Sequence, residues 1–249
     1  MKVLIAIKEI IDHNLKITIK DDNKNLKIKN LKKTINPFDE IALEEAIRLK
    51  EKGKIKETIS ISCGNISSKE ILQKSLAMGI DKSILIENTT KTILQPIDIA
   101  KLIKKIIKKD KKIKLVILGK QSIDYDYNQT GQMLAGLLNW PQAISITKLK
   151  IKNNQIYVTK EIDSGIEKLL LNLPAIITVD LRLNEPRYIT LIKILKAKKK
   201  KINILNTNKF NINLNKNIKI LNFSYNKTKK KKIKIINSIE LLKIIKNYI

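Results

Sequence analysis

The chain has 249 residues, 43% hydrophobic and only 4% aromatic, and its 51 lysines and arginines against 23 acids give a net charge of +28. One cysteine, Cys63, excludes an internal disulfide and a structural zinc finger and fits a reducing interior. The shortage of aromatic rings leaves no stacking platform for single-stranded bases. The lysine is spread over every predicted helix beside a surplus of isoleucine and asparagine, as AT-rich codon bias produces, so no nucleic-acid partner is expected.

Residues 3–7 are a continuous apolar run, read as a buried parallel strand that the N-terminus enters directly, without the basic, apolar and small-residue progression of a signal peptide. Asn36-Pro37-Phe38-Asp39 then opens a helix, with Asn36 as N-cap, proline at the first helical position and Asp39 near the positive dipole end. Phe38, Ile41, Ala42 and Leu49 share one face, and Gly53 ends the helix. Residues 58–62 are the next strand, followed by a helix from Ser67, with Glu70 completing a capping box, to Gly79. Residues 83–86 form a third strand and 96–109 a third helix, with Ala100, Ile103, Ile106 and Ile107 inward.

Residues 115–118 are a fourth strand closed by Gly119, and 128–138 a helix whose first turn carries Asn128, Gln129 and Thr130. Free amide hydrogens at such a helix start suit a phosphate, and Gly119 lets a ligand approach the backbone closely. Strands alternating with helices predict an α/β fold: a mostly parallel, Rossmann-like sheet with right-handed crossovers and helices on both faces. Such sheets bind ligands beyond their carboxyl edge, so the segments that follow Ile7, Ser62 and Leu118 are expected to converge on one rim. The uncharged stretch 127–147 is long enough to span a bilayer, but Asn128, Gln129, Gln132, Asn139, Pro141 and Gln142 interrupt it, and no membrane insertion is expected.

After Pro141 the period changes. Residues 145–150, 155–160 and 166–171 predict an antiparallel meander turning at Asn153-Asn154 and at Asp163-Ser164-Gly165, and one more buried strand, 175–179, follows Pro174. Residues 180–188 are too polar and turn-rich for a core. The lysine runs 198–201 and 229–232 read as solvated charge, and from 202 the chain is low in complexity until an amphipathic helix over 238–249. No catalytic grouping is visible: His13 is the only histidine, which excludes a histidine-based base or metal cluster. Cys63 reads as a small packed hydrophobe, and Asp124 and Asp126 as groups that orient their loop or a ribose.

Several segments, in order, carry a resemblance: Asn36-Pro37-Phe38-Asp39, Leu76-Ala77-Met78-Gly79, Gly119-Lys120-Gln121, Asn128-Gln129-Thr130-Gly131-Gln132, Trp140-Pro141-Gln142, Leu173-Pro174-Ala175, and Asp180-Leu181-Arg182-Leu183-Asn184-Glu185-Pro186-Arg187-Tyr188. Together they resemble the electron-transfer flavoprotein beta subunit, of the AMP-containing, non-bifurcating type. The resemblance implies a heterodimer in which an alpha subunit holds FAD and this subunit buries a structural AMP. Its AMP pocket would comprise Ala6, Asn36, Pro37, Phe38, Asp39, Cys63, Gly119, Lys120, Gln121, Asp124, Asp126, Asn128, Gln129 and Thr130, the last three on the phosphate. Phe38 and His13 would face the flavin across the subunit boundary, where the family commonly has tyrosine in place of His13.

The segment around Leu191, with Tyr188, Ile194 and Lys196, resembles the recognition loop by which the family docks acyl-CoA dehydrogenases. Ile192 and Lys193 stand where proline and asparagine are usual. Electrons would pass on to a membrane-bound electron-transfer flavoprotein quinone oxidoreductase, the chain itself turning over no substrate and holding no metal. The expected division is an α/β AMP-binding domain over 1–190 and, over 191–249, the end of the recognition loop with a C-terminal arm packing on the partner subunit. The rival readings are a bifurcating subunit with a second FAD in place of AMP and a free-standing adenine-nucleotide-binding regulator. The expected location is a bacterial cytoplasm, with the mitochondrial matrix as the alternative.

Overall fold

The elements follow in chain order: β1 (Lys2–Ala6), β2 (Glu9–Ile11), β3 (Lys33–Ile35), α1 (Pro37–Glu51), β4 (Glu57–Gly64), α2 (Lys69–Met78), β5 (Lys82–Glu87), α3 (Pro96–Lys109), β6 (Ile113–Gly119) and α4 (Thr130–Leu138). The second half adds β7 (Gln142–Lys152), β8 (Gln155–Ile162), β9 (Gly165–Asn172), β10 (Ala175–Val179), α5 (Leu191–Lys198), β11 (Asn203–Asn206) and α6 (Ser238–Lys246). The computed structural model describes residues 1–22, 25–28, 31–90, 93–214, 218, 220–225 and 237–246. It divides into one unit of Met1–Lys16 with Ile28–Lys219 and a second of Ile17–Lys27 with Ile220–Ile249.

The first unit is built on a nine-stranded sheet in the order β11-β5-β4-β1-β6-β10-β7-β8-β9, parallel from β11 to β7 and antiparallel beyond, with β2 and β3 as a separate ribbon. The α/β architecture is the one expected. β1 shows why its sequence is an unbroken apolar run: Val3 and Ile5 join the core on the α1 and α2 face, Leu4 the core on the α3 face, and all three are fully buried. From β1 the chain steps to β4 and β5 on one side, then α3 carries it back to β6 on the other side of β1. The strand order therefore reverses at the β1/β6 boundary, where open α/β sheets form their ligand crevice.

Several local readings are corrected. Asn36 precedes α1 but makes no side-chain cap; its amide is taken by the loop after β6, as described below. Ser67 does not cap α2 either, because residues 66–68 form a short 3₁₀ turn and the Ser67 hydroxyl donates to Glu9 at 3.0 Å. The capping box is found instead on α3, between Gln95 and Asp98. α4 begins at Thr130, since Asn128 has φ 45° and cannot be helical. The Asn153-Asn154 turn is as expected, with both residues at positive φ (48° and 60°), as a two-residue hairpin requires. Residues 203–206, read as low-complexity tail, pair with β5 as an edge strand, and Phe210 just beyond is buried. In the second unit, Ile19 and Leu26 form an isolated bridge, Ile19 N donates to the Tyr225 hydroxyl at 2.8 Å, and α6 closes the described chain; residues 247–249 of its expected span lie outside the described residues.

Residues 180–190 are polar because they are riveted to α1 by charge. The Arg187 guanidinium donates from Nε and Nη2 to Glu44 at 2.8 and 3.1 Å and from Nη1 and Nη2 to Glu51 at 2.6 and 3.0 Å. Asn184 donates to the Ile41 carbonyl at 3.2 Å and to Glu45 at 3.1 Å. Glu44 is only 2% exposed; burial pushes its carboxyl up, but the Arg187 and Arg48 hydrogen bonds outweigh this and hold it below the usual range. Beyond this rivet Leu191–Lys198 is helical, where the resemblance implied a loop. α5 packs Ala197 against Leu76 and Ala77 of α2 and leaves Tyr188 98% and Leu191 70% exposed. Arg187→Met should destabilise the fold by about 3 kcal/mol in urea titration, the low end for removing one partner of a buried pair because Arg48 stays on Glu44. A change within error would show that the rivet is dispensable.

Candidate functional site

The reversal point is closed by one carboxylate. Asp39, in the first turn of α1 and 6% exposed, accepts from Lys8 N at 2.9 Å through Oδ2 and from Gly119 N at 3.0 Å through Oδ1. These are amides at and just past the ends of β1 and β6, where diverging strands leave donors without ladder partners. Burial pushes the Asp39 carboxyl up to about 7, against the downward pull of the Lys8 and Gly119 amides. Gly119 has to be glycine here for packing reasons: a Cβ would come to 2.6 Å from the Phe38 Cβ and 2.9 Å from its backbone carbonyl carbon.

The loop from Lys120 to Gln129 is sewn to the same point. Asn36 Nδ2 donates to the Gln121 carbonyl at 2.8 Å, and Ile123 N donates back to Asn36 Oδ1 at 3.2 Å. Lys8 Nζ bonds Asp124 at 2.7 Å and Ser122 at 3.2 Å and lies 4.3 Å above the Tyr125 ring, which stacks on Tyr127 at 5.3 Å. Gln121 donates to Asp126 at 2.8 Å. Lys120 Nζ lies 5.3 Å from the Phe38 ring and bonds Asp180, just past β10, at 2.9 Å. Burial pushes Asp180 up, but Arg182 and Lys120 outweigh it and hold the carboxyl down at about 2.

Beside this knot lies a cleft of about 640 Å³, within the range of a small-molecule site. One wall is apolar, from Ile61, Leu94, Ile99, Ile103 and Leu118; the other is polar, from Lys8, Glu9, Asn36, Asp39 and Ser68. The start of α4 forms its end, where Gln129 is exposed, Thr130 is half-buried and no side chain caps the first-turn amides. Of the residues expected together, Ala6, Asn36, Asp39, Cys63, Gly119, Lys120, Gln121, Asn128, Gln129 and Thr130 line this cleft. Pro37, Phe38, Asp124 and Asp126 stand behind its wall: Phe38 is buried near Lys120, and the two acids hold Lys8 and Gln121 within the loop. His13 is exposed on the turn after β2, apart from the cleft, and Tyr188, Leu191, Ile194 and Lys196 are exposed on and beside α5.

Sequence reading missed Glu9 and the Leu94–Ile103 wall. The wall had a signal, since residues 94–103 combine a capping box with apolar spacing; Glu9 had none, because its role depends on partners distant in sequence. Burial pushes the Cys63 thiol up to about 12, so it stays protonated and is a poor nucleophile. Among the described residues no group of histidines, cysteines and acids is placed to hold a metal. Nor is any helix among them long and apolar enough to cross a membrane.

Comparison with known proteins converges on one family. Residues 26–209 match the family model described as "Electron transfer flavoprotein domain". The chain is 50% identical over 211 residues to the electron transfer flavoprotein subunit beta of Dictyostelium discoideum, covering 85% of this chain and 83% of the relative. Against the human subunit of the same name identity is 47% over 207 residues, covering 82% and 81%. Against that of Bradyrhizobium diazoefficiens it is 47% over 202 residues, covering 81% and 80%.

Two outcomes follow from this geometry. Gly119→Ala should lower stability by about 1–3 kcal/mol in urea unfolding, as expected for overpacking against rigid backbone, and an unchanged midpoint would contradict the contact. Asp39 binds its proton more tightly folded, at about 7, than unfolded, at 3.8, so its contribution is full below 3.8 and is lost as pH rises through about 7. Urea midpoints taken across that window should therefore fall more steeply with pH in the wild type than in Asp39→Asn; parallel slopes would show that Asp39 does not titrate there.

Proposed function

The chain belongs to the electron transfer flavoprotein family, as a beta subunit, and on that premise we propose that it holds a structural AMP in the β1/β6 cleft while pairing with an alpha subunit that carries most of the FAD. The observation that carries the AMP reading is the donor set. An uncapped helix start, an apolar wall and a polar wall meet in one cleft of nucleotide size, where burial keeps the Cys63 thiol protonated and two backbone amides engage the Asp39 carboxylate. The first-turn amides from Gln129 to Gly131 would take the phosphate, and Ile61, Ile99 and Leu118 would cover the base. A nucleotide held this way reacts with nothing; it fills the reversal point and stiffens the loop that Asn36 and Lys8 anchor.

FAD supplies the redox chemistry when bound at the subunit boundary. This chain's part is to exclude water and to set the geometry of its partners. His13, exposed after β2, is available to that boundary, whereas Phe38 acts from beneath Lys120. The exposed face of α5, with Tyr188, Leu191 and Ile194 among Lys193 and Lys196, is read as the docking surface for acyl-CoA dehydrogenases. A small apolar anchor ringed by charge favours fast exchange over tight binding. Delivery to a membrane quinone oxidoreductase and a reducing home, bacterial cytoplasm or mitochondrial matrix, complete the reading, the latter supported by the single cysteine. The C-terminal arm within 191–249 is assigned to packing on the alpha subunit.

Acid extraction of the assembled heterodimer should release one AMP and one flavin per complex. Two flavins and no adenylate would make the chain a bifurcating subunit and overturn the reading. Leu191→Ala should slow reduction of the complex by an acyl-CoA dehydrogenase about tenfold or more, acting on KM, as loss of an interface anchor does. Flavin and AMP content should stay unchanged; an unaltered rate would remove α5 from the docking surface.

A further inference from the structure

Glu9 lines the cleft with a half-used carboxylate. Its Oε1 pairs with Lys33 Nζ and accepts from the Ser67 hydroxyl at 3.0 Å. Its Oε2 is buried and, among the described residues, has no hydrogen-bond partner, and the side chain as a whole is only 12% exposed. A buried carboxylate oxygen without a donor is costly, so native structures keep one where something else supplies the donor. Three other polar groups of that wall are already engaged: Asn36 with Gln121 and Ile123, Lys8 with Asp124 and Ser122, and Asp39 with two backbone amides.

If the first-turn amides of α4 take a phosphate and the apolar wall takes a base, the polar wall is left for the sugar. A sugar hydroxyl is the donor that an acceptor-only oxygen lacks. We propose that Glu9 Oε2 accepts a hydrogen bond from a ribose hydroxyl of the nucleotide in this cleft, making the site selective against a nucleotide that lacks that hydroxyl. Lys33 on Oε1 offsets the repulsion between the carboxylate and the phosphate. The inference rests on the nucleotide reading above and deepens it: nothing in the motifs or the matched family names assigns Glu9 a part.

The heterodimer, freed of its nucleotide, is titrated calorimetrically with AMP, 2′-deoxy-AMP, 3′-deoxy-AMP and inosine monophosphate. One of the two deoxy nucleotides should bind about tenfold to a hundredfold more weakly than AMP, the worth of a hydrogen bond to a charged group. In Glu9→Ala that discrimination should shrink to about threefold or less. Lys33→Met removes the neighbour but keeps the acceptor, and should preserve the discrimination, which a merely structural role for the Glu9 pair would not. Equal binding of AMP and both deoxy nucleotides by the wild type, or discrimination that survives in Glu9→Ala, overturns the proposal and leaves the AMP reading intact. A penalty for inosine monophosphate alone assigns the readout to the base and also overturns it. If no nucleotide binds at all, this proposal and the AMP reading fall together. Should Glu9→Ala not fold, Glu9→Gln and the wild-type series still decide.

Discussion

One carboxylate holds the place where the sheet reverses direction. When two parallel strands part, the amides past their ends lose their ladder partners, and a buried amide without an acceptor is unfavourable. Asp39 accepts both, from Lys8 and Gly119, and because it sits in the first turn of α1 it fixes that helix against the strand ends in the same act. The rest of the site is hung from this joint. Phe38 abuts Gly119, Asn36 grips the following loop at Gln121 and Ile123, and Lys120 reaches across to Asp180 past β10. The cleft keeps its shape because three strand ends and a helix start are bound to one another by polar contacts.

The charge of the chain has a division of labour. Its few acids are mostly engaged in joints: Glu44 and Glu51 with Arg187, Asp180 with Lys120 and Arg182, Glu57 with Lys2 and Lys82, and Asp81 with Lys50. The lysine surplus is left on the surface, where it is screened by salt and adds little stability. This explains how a net charge of +28 coexists with a Rossmann-like core. On α5 the same arrangement surrounds exposed Leu191 with cations.

The fold was legible where physics is local. Buried parallel strands need unbroken apolar runs, so β1, β4, β5, β6 and β10 could be read from their residues; proline at the start of α1 and α3 and the Asn153-Asn154 turn spoke equally plainly. What failed was the inference from a polar residue to its nearest use. Asn36 and Ser67 stand where caps belong, but each is taken by a partner far along the chain, 85 residues away for Asn36 and 58 for Ser67. β11 escaped notice because an edge strand of asparagine, isoleucine and leucine inside a polar tail has no period long enough to register. Glu9 was invisible because Lys33 and Ser67 reach one of its carboxylate oxygens from far along the chain while, among the described residues, the other has no partner.

Backbone amide exchange at Lys8 and Gly119 tests the central claim most directly, measured in the heterodimer with and without AMP and in Asp39→Ala. If the carboxylate is the joint, both amides exchange only through global opening in the wild type, while in the variant both exchange freely, together with the loop after β6. Rapid exchange of those two amides in the wild type, or an Asp39→Ala protein that keeps them protected, would contradict the account.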